Sequence, residues 1–209
     1  MTDHDTDPDA PAPGGGPAGL IRFRDLPRQP LQEGRGTVRG IWTETDPGLD
    51  LRWHLQLVEL KGPGGSLLAP AGTHQRIVGL SGPQVAVGAF DHHAVLRRDR
   101  AVLLRSSTLS FQRPRLRVTG ASMVLVLTFA AVAVPPMFSF QEIDGSADLP
   151  TGTRVLLALQ GDVRLDGVEV PRQAVALLDG GPDHRAHASS ARVLVLSEAV
   201  IPGADADPV

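Results

Sequence analysis

Helical periodicity is nearly absent from this chain, while short β-branched runs recur between glycine and proline breaks. That combination leaves few folds open. The clearest run is Leu51 to Leu60, LRWHLQLVEL, in which Leu51, Trp53, Leu55 and Leu57 point one way and Arg52, His54 and Gln56 the other. Further runs follow at Gln75 to Leu80, Val85 to Ala89, Ala101 to Leu104, Leu116 to Val118, Met123 to Phe129, Val155 to Leu159, Val163 to Leu165, Ala174 to Leu178 and Arg192 to Leu196. So many short strands with turn signals between them predict an all-β sandwich or barrel. Helices over a parallel sheet are excluded, because no connection carries a convincing amphipathic helix.

Two stretches resemble each other. GLSGPQVAVG (Gly79 to Gly88) and ALQGDVRLDG (Ala158 to Gly167) each place a leucine two residues before a glycine and a second glycine six residues later. An apolar strand follows each, AVLL at 101 and AVALL at 174. Glycine suits a tight β corner because it takes φ > 0 without a steric cost. An internal duplication is the simplest account.

At 209 residues the chain can bury one large β core or two small ones. Its arginines are scattered among acids and the net charge is −3, so nothing here attracts a phosphate backbone and nucleic acid is excluded as a partner. The absence of cysteine removes disulfides, thiolate nucleophiles and Cys-ligated zinc together. Residues 1–19 are Asp-, Pro-, Ala- and Gly-rich with no basic and no apolar region of a secretion signal, which predicts a cytoplasmic protein with a disordered tail there. Residues 203–209 read the same way. The apolar run Met123 to Val134 falls short of the roughly 20 residues a spanning helix needs and is rich in valine, so it reads as a core strand and no membrane is expected.

The second repeat, VLLALQGDVRLDGVEVPRQAVALLDGG, looks like the central part of a cupin, and two such units predict a bicupin with halves at 20–125 and 126–202. LIRFRDLPRQPLQEGRGTVRGIW resembles the N-terminal signature of the HutD family, small bicupins associated with histidine utilisation. That pattern is roughly Asp-Leu-Pro, then Pro-Trp-Lys-Asn-Gly-Gly-Gly-x-Thr-Arg-Glu-Ile, and Asp25, Leu26, Pro27, Pro30, Gly34, Gly36, Arg39 and Ile41 fall into register. The departures are Leu31 for Trp, Glu33 for Asn, Arg35 for Gly and Gly40 for Glu, and the later Gly-Pro-Phe-Ser segment is matched loosely by KGPGGS. The resemblance implies binding of a small anionic metabolite, a carboxylate or amide such as formylglutamate or urocanate, in regulation of amino-acid catabolism rather than turnover.

The chemistry of the residues agrees with binding. A cupin metal centre needs His-x-His so that alternate side chains reach one face, and no such motif occurs. His92 and His93 are adjacent and read as a turn, and His184 and His187 lie in GPDHRAHASS, read as a surface loop, so neither metal nor another cofactor is expected. A metal-dependent dioxygenase or isomerase using His74 with these histidines is the enzyme alternative. No nucleophile elbow or phosphate-cradling loop is present. If the polar face of the Trp53 strand looks into the barrel, His54 and Gln56 supply hydrogen-bonding groups, with Arg35 and Arg39 from GRGTVR and His74 and Gln75 from HQR. Arg39 has a second reading, as a brace paired with a nearby acid. A homodimer joined along a barrel edge is the structural alternative.

Overall fold

Valine, isoleucine and aromatic runs become strands in the computed structural model wherever a pleated face is buried. The structure describes residues 19–46, 49–89, 92–105, 108–113, 120–181 and 184–198. In chain order the strands are β1 (Gly19–Arg22), β2 (Gln29–Pro30), β3 (Gly36–Asp46), β4 (Leu49–Leu60), β5 (Gly64–Leu68), β6 (Thr73–Ser81), β7 (Val85–Ala89), β8 (His92–Leu96) and β9 (Ala101–Leu104). They continue with β10 (Thr108–Gln112), β11 (Ser122–Ala130), β12 (Met137–Asp148), β13 (Thr153–Gln160), β14 (Val163–Leu165), β15 (Val168–Val170), β16 (Ala174–Leu177) and β17 (Arg185–Ser197). The only helical element among the described residues is the 3₁₀ turn Phe23–Asp25. None of them forms a helix long and apolar enough to cross a membrane.

Contacts divide the chain into a first unit, Ile21–Phe140, and a second, Gln141–Val209 with Met1–Leu20. In the first, a six-stranded sheet of order β2-β3-β4-β11-β6-β9 faces a four-stranded sheet of order β5-β10-β7-β8. Val38, Val58, Ile77, Val124 and Val126 from the larger sheet pack with Val85, Val87, Leu109 and Phe111 from the smaller, so the core of this unit lies between its sheets. The second unit's sheet runs β1-β16-β13-β17-β14-β15, with β12 also on β17, and encloses a core of Leu156, Ala158, Val163, Leu165, Ala176 and Val193.

The two units repeat one pairing scheme. In the first, β6 pairs with β9 and β11, and β7 with β8 and β10. In the second, β13 pairs with β16 and β17, and β14 with β15 and β17. One long strand, β17, thus does the work that β10 and β11 share. The duplicated glycine sits at the same corner in both units: Gly82 has φ 84 and Gly161 φ 69, and a Cβ would fall 2.1 Å from the Ala121 carbonyl oxygen or 2.4 Å from that of Ser190. The later glycines are not equivalent. Gly88 lies within β7 against His93 and Ser110, whereas Gly167 turns at φ 84 with open space around it.

Several expectations need adjusting. Gly19 belongs to a strand rather than a tail, whereas residues 1–18, 203–209 and Leu116 to Val118 lie outside the described residues. A division after residue 125 would cut β11, whose Ser122 to Phe129 pair in one unbroken register with Leu60 to Trp53. His92 and His93 form strand, not turn, paired with Ala89 and Gly88. His184 is buried rather than a surface-loop residue. Its Nδ1 meets the Asp166 carboxylate at 2.7 Å and its Nε2 that of Asp179 at 3.1 Å. Burial lowers the His184 pKa, but the hydrogen bonds and charges of Asp166 and Asp179 outweigh it, and the net shift is upward. With its folded pKa above the unfolded value, His184 stabilises fully below about pH 6.5, and that contribution fades as pH rises through the folded pKa. Chemical denaturation from pH 5.5 to 8.5 should therefore show a loss of stability on the alkaline side that His184→Gln abolishes.

Candidate functional site

From Val124 to Phe129 the register runs without a break across β4, β11 and β6 and fixes which side chains share a face. His54 is opposite Thr128, which is opposite Gln75, which is opposite Leu104 of β9. The adjacent row is Gln56, Val126, Ile77 and Val102. On the other side of β4, Thr43 meets His54 and Gly40 meets Gln56 across a bulge in β3. Val58, Val126 and Ile77 belong to the core between the sheets, so by alternation His54, Gln56 and Gln75 point to that same interior side.

Three of the six residues expected to bind ligand therefore lie on one face. Wet and dry ends follow from burial: Thr43 and Gly40 are exposed, His54 and Gln56 half-buried, and Thr128 and Gln75 fully buried. Gln75 is held by its Nε2, which donates to Thr73 Oγ1 at 3.1 Å, while that hydroxyl donates to the Pro70 carbonyl at 2.6 Å. Burial lowers the His54 pKa, so its imidazole is neutral at pH 7 and offers one donor and one acceptor. Among the described residues His54 and Gln56 make no side-chain hydrogen bond, which leaves both for a bound molecule. The missing side chain at Gly40 keeps space beside them, since a Cβ there would meet only His54 Nε2, at 3.8 Å.

The other three point elsewhere. Arg39 is on the opposite face of β3, buried, where its guanidinium donates to the Phe23 carbonyl and pairs with Glu59 at 3.3 Å. That geometry is the brace. His74 is next to Gln75 on one strand and so faces the other way, edge-on to Phe129 with ring centroids 5.9 Å apart. Arg35 is exposed in the loop before β3 and lines a separate pocket. Thr43 and Thr128 were missed, although Thr128 is the only polar residue between Met123 and Phe129 and marks where that strand's inner face turns polar. Beside this row, Val102 and Leu104 with His92 and Ala94 line a cleft of about 680 Å³ between the edge strands β8 and β9. Among the described residues no three His, Asp or Glu side chains gather as a metal site would require.

Two β units that repeat one pairing scheme, the first with a polar, partly open mouth on its inner face, give the chain a cupin-like fold. Its fold is that of HutD: the crystal structure of HutD from Pseudomonas fluorescens aligns with TM-score 0.64 and 18% identity over 86% of this chain and 97% of that one. A Pseudomonas aeruginosa protein of unknown function aligns with TM-score 0.69 at 22% identity, again over 86% and 97%. A cupin barrel protein from Leptotrichia buccalis aligns with TM-score 0.56 at 13% identity, over 87% and 96%. No family model and no curated protein matches the sequence.

Proposed function

We propose that this chain binds a small carboxylate or amide metabolite at the mouth of its first unit, without consuming it, and that occupancy regulates amino-acid catabolism, as the resemblance to HutD suggests. The convergence of His54, Gln56 and Gln75 on one inner face carries this reading. A neutral imidazole, two amides and two threonine hydroxyls make a wall that hydrogen-bonds a carboxylate or amide oxygen through neutral donors. The wall holds no nucleophile paired with a base, which favours binding over turnover.

Thermal shift tests the reading directly, because a ligand that binds only the folded chain raises Tm by mass action. Formylglutamate, urocanate or histidine at about a hundredfold its Kd should add roughly 2.7 kcal/mol of stability, which His54→Ala reduces. Flat curves for all three compounds would reject the assignment.

A further inference from the structure

The first unit carries a second pocket, of about 510 Å³, on a rigid loop. Its rim holds Glu33 and Arg35, with Ser66, Ser110 and Gln112 on its wall. The loop is pinned on both sides. Leu31 N–H donates to the Gly36 carbonyl at 3.1 Å, Arg35 N–H to that of Gly64 at 3.2 Å, and Ser66 N–H to that of Gln32 at 2.8 Å. The amides of Lys61 and Gly62 both donate to the Arg35 carbonyl, each at 3.0 Å. Gly34 completes the lock, because a Cβ there would fall 2.0 Å from the Gly64 carbonyl oxygen. Glu33 is held in the left-handed region at φ 51, where a residue with a side chain is uncommon.

Two opposite charges sit two residues apart on this loop, yet among the described residues Glu33 and Arg35 make no ion pair with each other or with any other side chain. Elsewhere in this unit Arg52 pairs with Glu44 at 2.8 Å and Lys61 with Glu59 at 3.3 Å. Behind the wall the Arg113 guanidinium adds a second positive charge, donating to the carbonyls of Leu60 at 3.3 Å and Gly120 at 2.7 Å. A pocket with one acceptor charge, a fork of donors and two serine hydroxyls on its wall, which donate to the carbonyls of Gln32 at 3.3 Å and Gly88 at 3.2 Å and keep their lone pairs for a ligand, matches a molecule bearing an ammonium and a carboxylate on one carbon.

We propose that this pocket binds a free α-amino acid, its ammonium on Glu33, its carboxylate on Arg35, and a polar side chain against Ser66, Ser110 and Gln112. The backbone lock fixes where both side chains leave the loop, so binding has to order the side chains but not the backbone. The site is separate from the mouth around His54 and does not depend on it.

L-glutamine titrated into the full ¹⁵N-labelled chain provides the test, read at the amide resonances of Gly34, Gly64, Gly65 and Ser66. Saturable shifts are expected with L-glutamine, and at least about tenfold weaker binding with N-acetyl-L-glutamine, which lacks the ammonium, and with glutamine amide, which lacks the carboxylate. Glu33→Gln and Arg35→Gln should each weaken L-glutamine binding by a similar factor while the resonances of β13 and β17 stay in place. Gly40→Phe, which fills the other site, should leave it intact. No shift with L-glutamine, equal shifts with all three compounds, or unchanged affinity in the Glu33 and Arg35 variants would each overturn the proposal. N-acetyl-L-glutamine binding as well as L-glutamine would also overturn it, marking a site for carboxylates alone.

Discussion

Gly161→Val is expected to lower stability by about 3 kcal/mol or more, and Gly82→Val by a similar amount. Two effects add at each corner. Left-handed backbone costs a side-chain-bearing residue about 1–2 kcal/mol. The new Cβ would also fall 2.4 Å from the Ser190 carbonyl oxygen in one case and 2.1 Å from that of Ala121 in the other, and backbone cannot swing aside as a side chain can. Gly167 separates the two effects, since its φ is 84 but nothing lies within 4 Å of its Cβ position. Gly167→Ala should therefore cost only about 1 kcal/mol. For a chain of this size each kcal/mol moves Tm by about 2–4 °C, so calorimetry should place the Gly161→Val transition at least about 6 °C below the wild type and that of Gly167→Ala within about 4 °C. Equal shifts for the two variants would mean that steric closure of the corner contributes nothing.

Gly40→Phe should abolish ligand binding at the mouth of the first unit while leaving the fold intact. Gly40 is exposed and its φ is not in the left-handed region, so a side chain there is unstrained. A ring on that strand position fills the space beside His54 and Gln56 that a ligand would occupy. Calorimetric titration should show binding weakened by more than about a hundredfold, or about 2.7 kcal/mol, since shape and both hydrogen-bonding partners are lost together. His54→Ala removes one neutral hydrogen bond and should cost about 0.5–1.5 kcal/mol, roughly two- to tenfold. Unchanged affinity in Gly40→Phe would place the ligand elsewhere.

The sequence carried the fold where strands bury one whole face. Val85–Ala89, Ala101–Leu104 and Val163–Leu165 coincide with the apolar runs that announced them. β12 was missed because Ile143 alone among its residues is fully buried, so its sequence MFSFQEIDGSAD prints no alternation. β3 hid behind Gly36 and Gly40, which interrupt any apolar run, although Gly36 to Asp46 is strand. Within the site, alternation put His54 and Gln56 together, but the inward face could be fixed only by the partners of Val58 and Ile77. The pairing of His74 with Gln75 as two ligands contradicts the same alternation, since neighbours on a strand face opposite ways. His184 was misjudged because its partners, Asp166 and Asp179, come from turns that no local pattern brings near it.

The bulge that sets Trp42 against Leu55 also brings its ring edge-on to Trp53, with centroids 5.5 Å apart. These are the only two tryptophans, and the chain has no tyrosine. All of its long-wavelength ultraviolet emission therefore arises from one coupled indole pair. Trp53 is the residue before His54, with the Arg52 guanidinium 5.2 Å from its ring centroid. Anything that shifts β4 as the mouth fills will change the exchange of excitation between the two rings. A ligand that shifted β4 on binding there would thus be read by the indole pair itself, without a label.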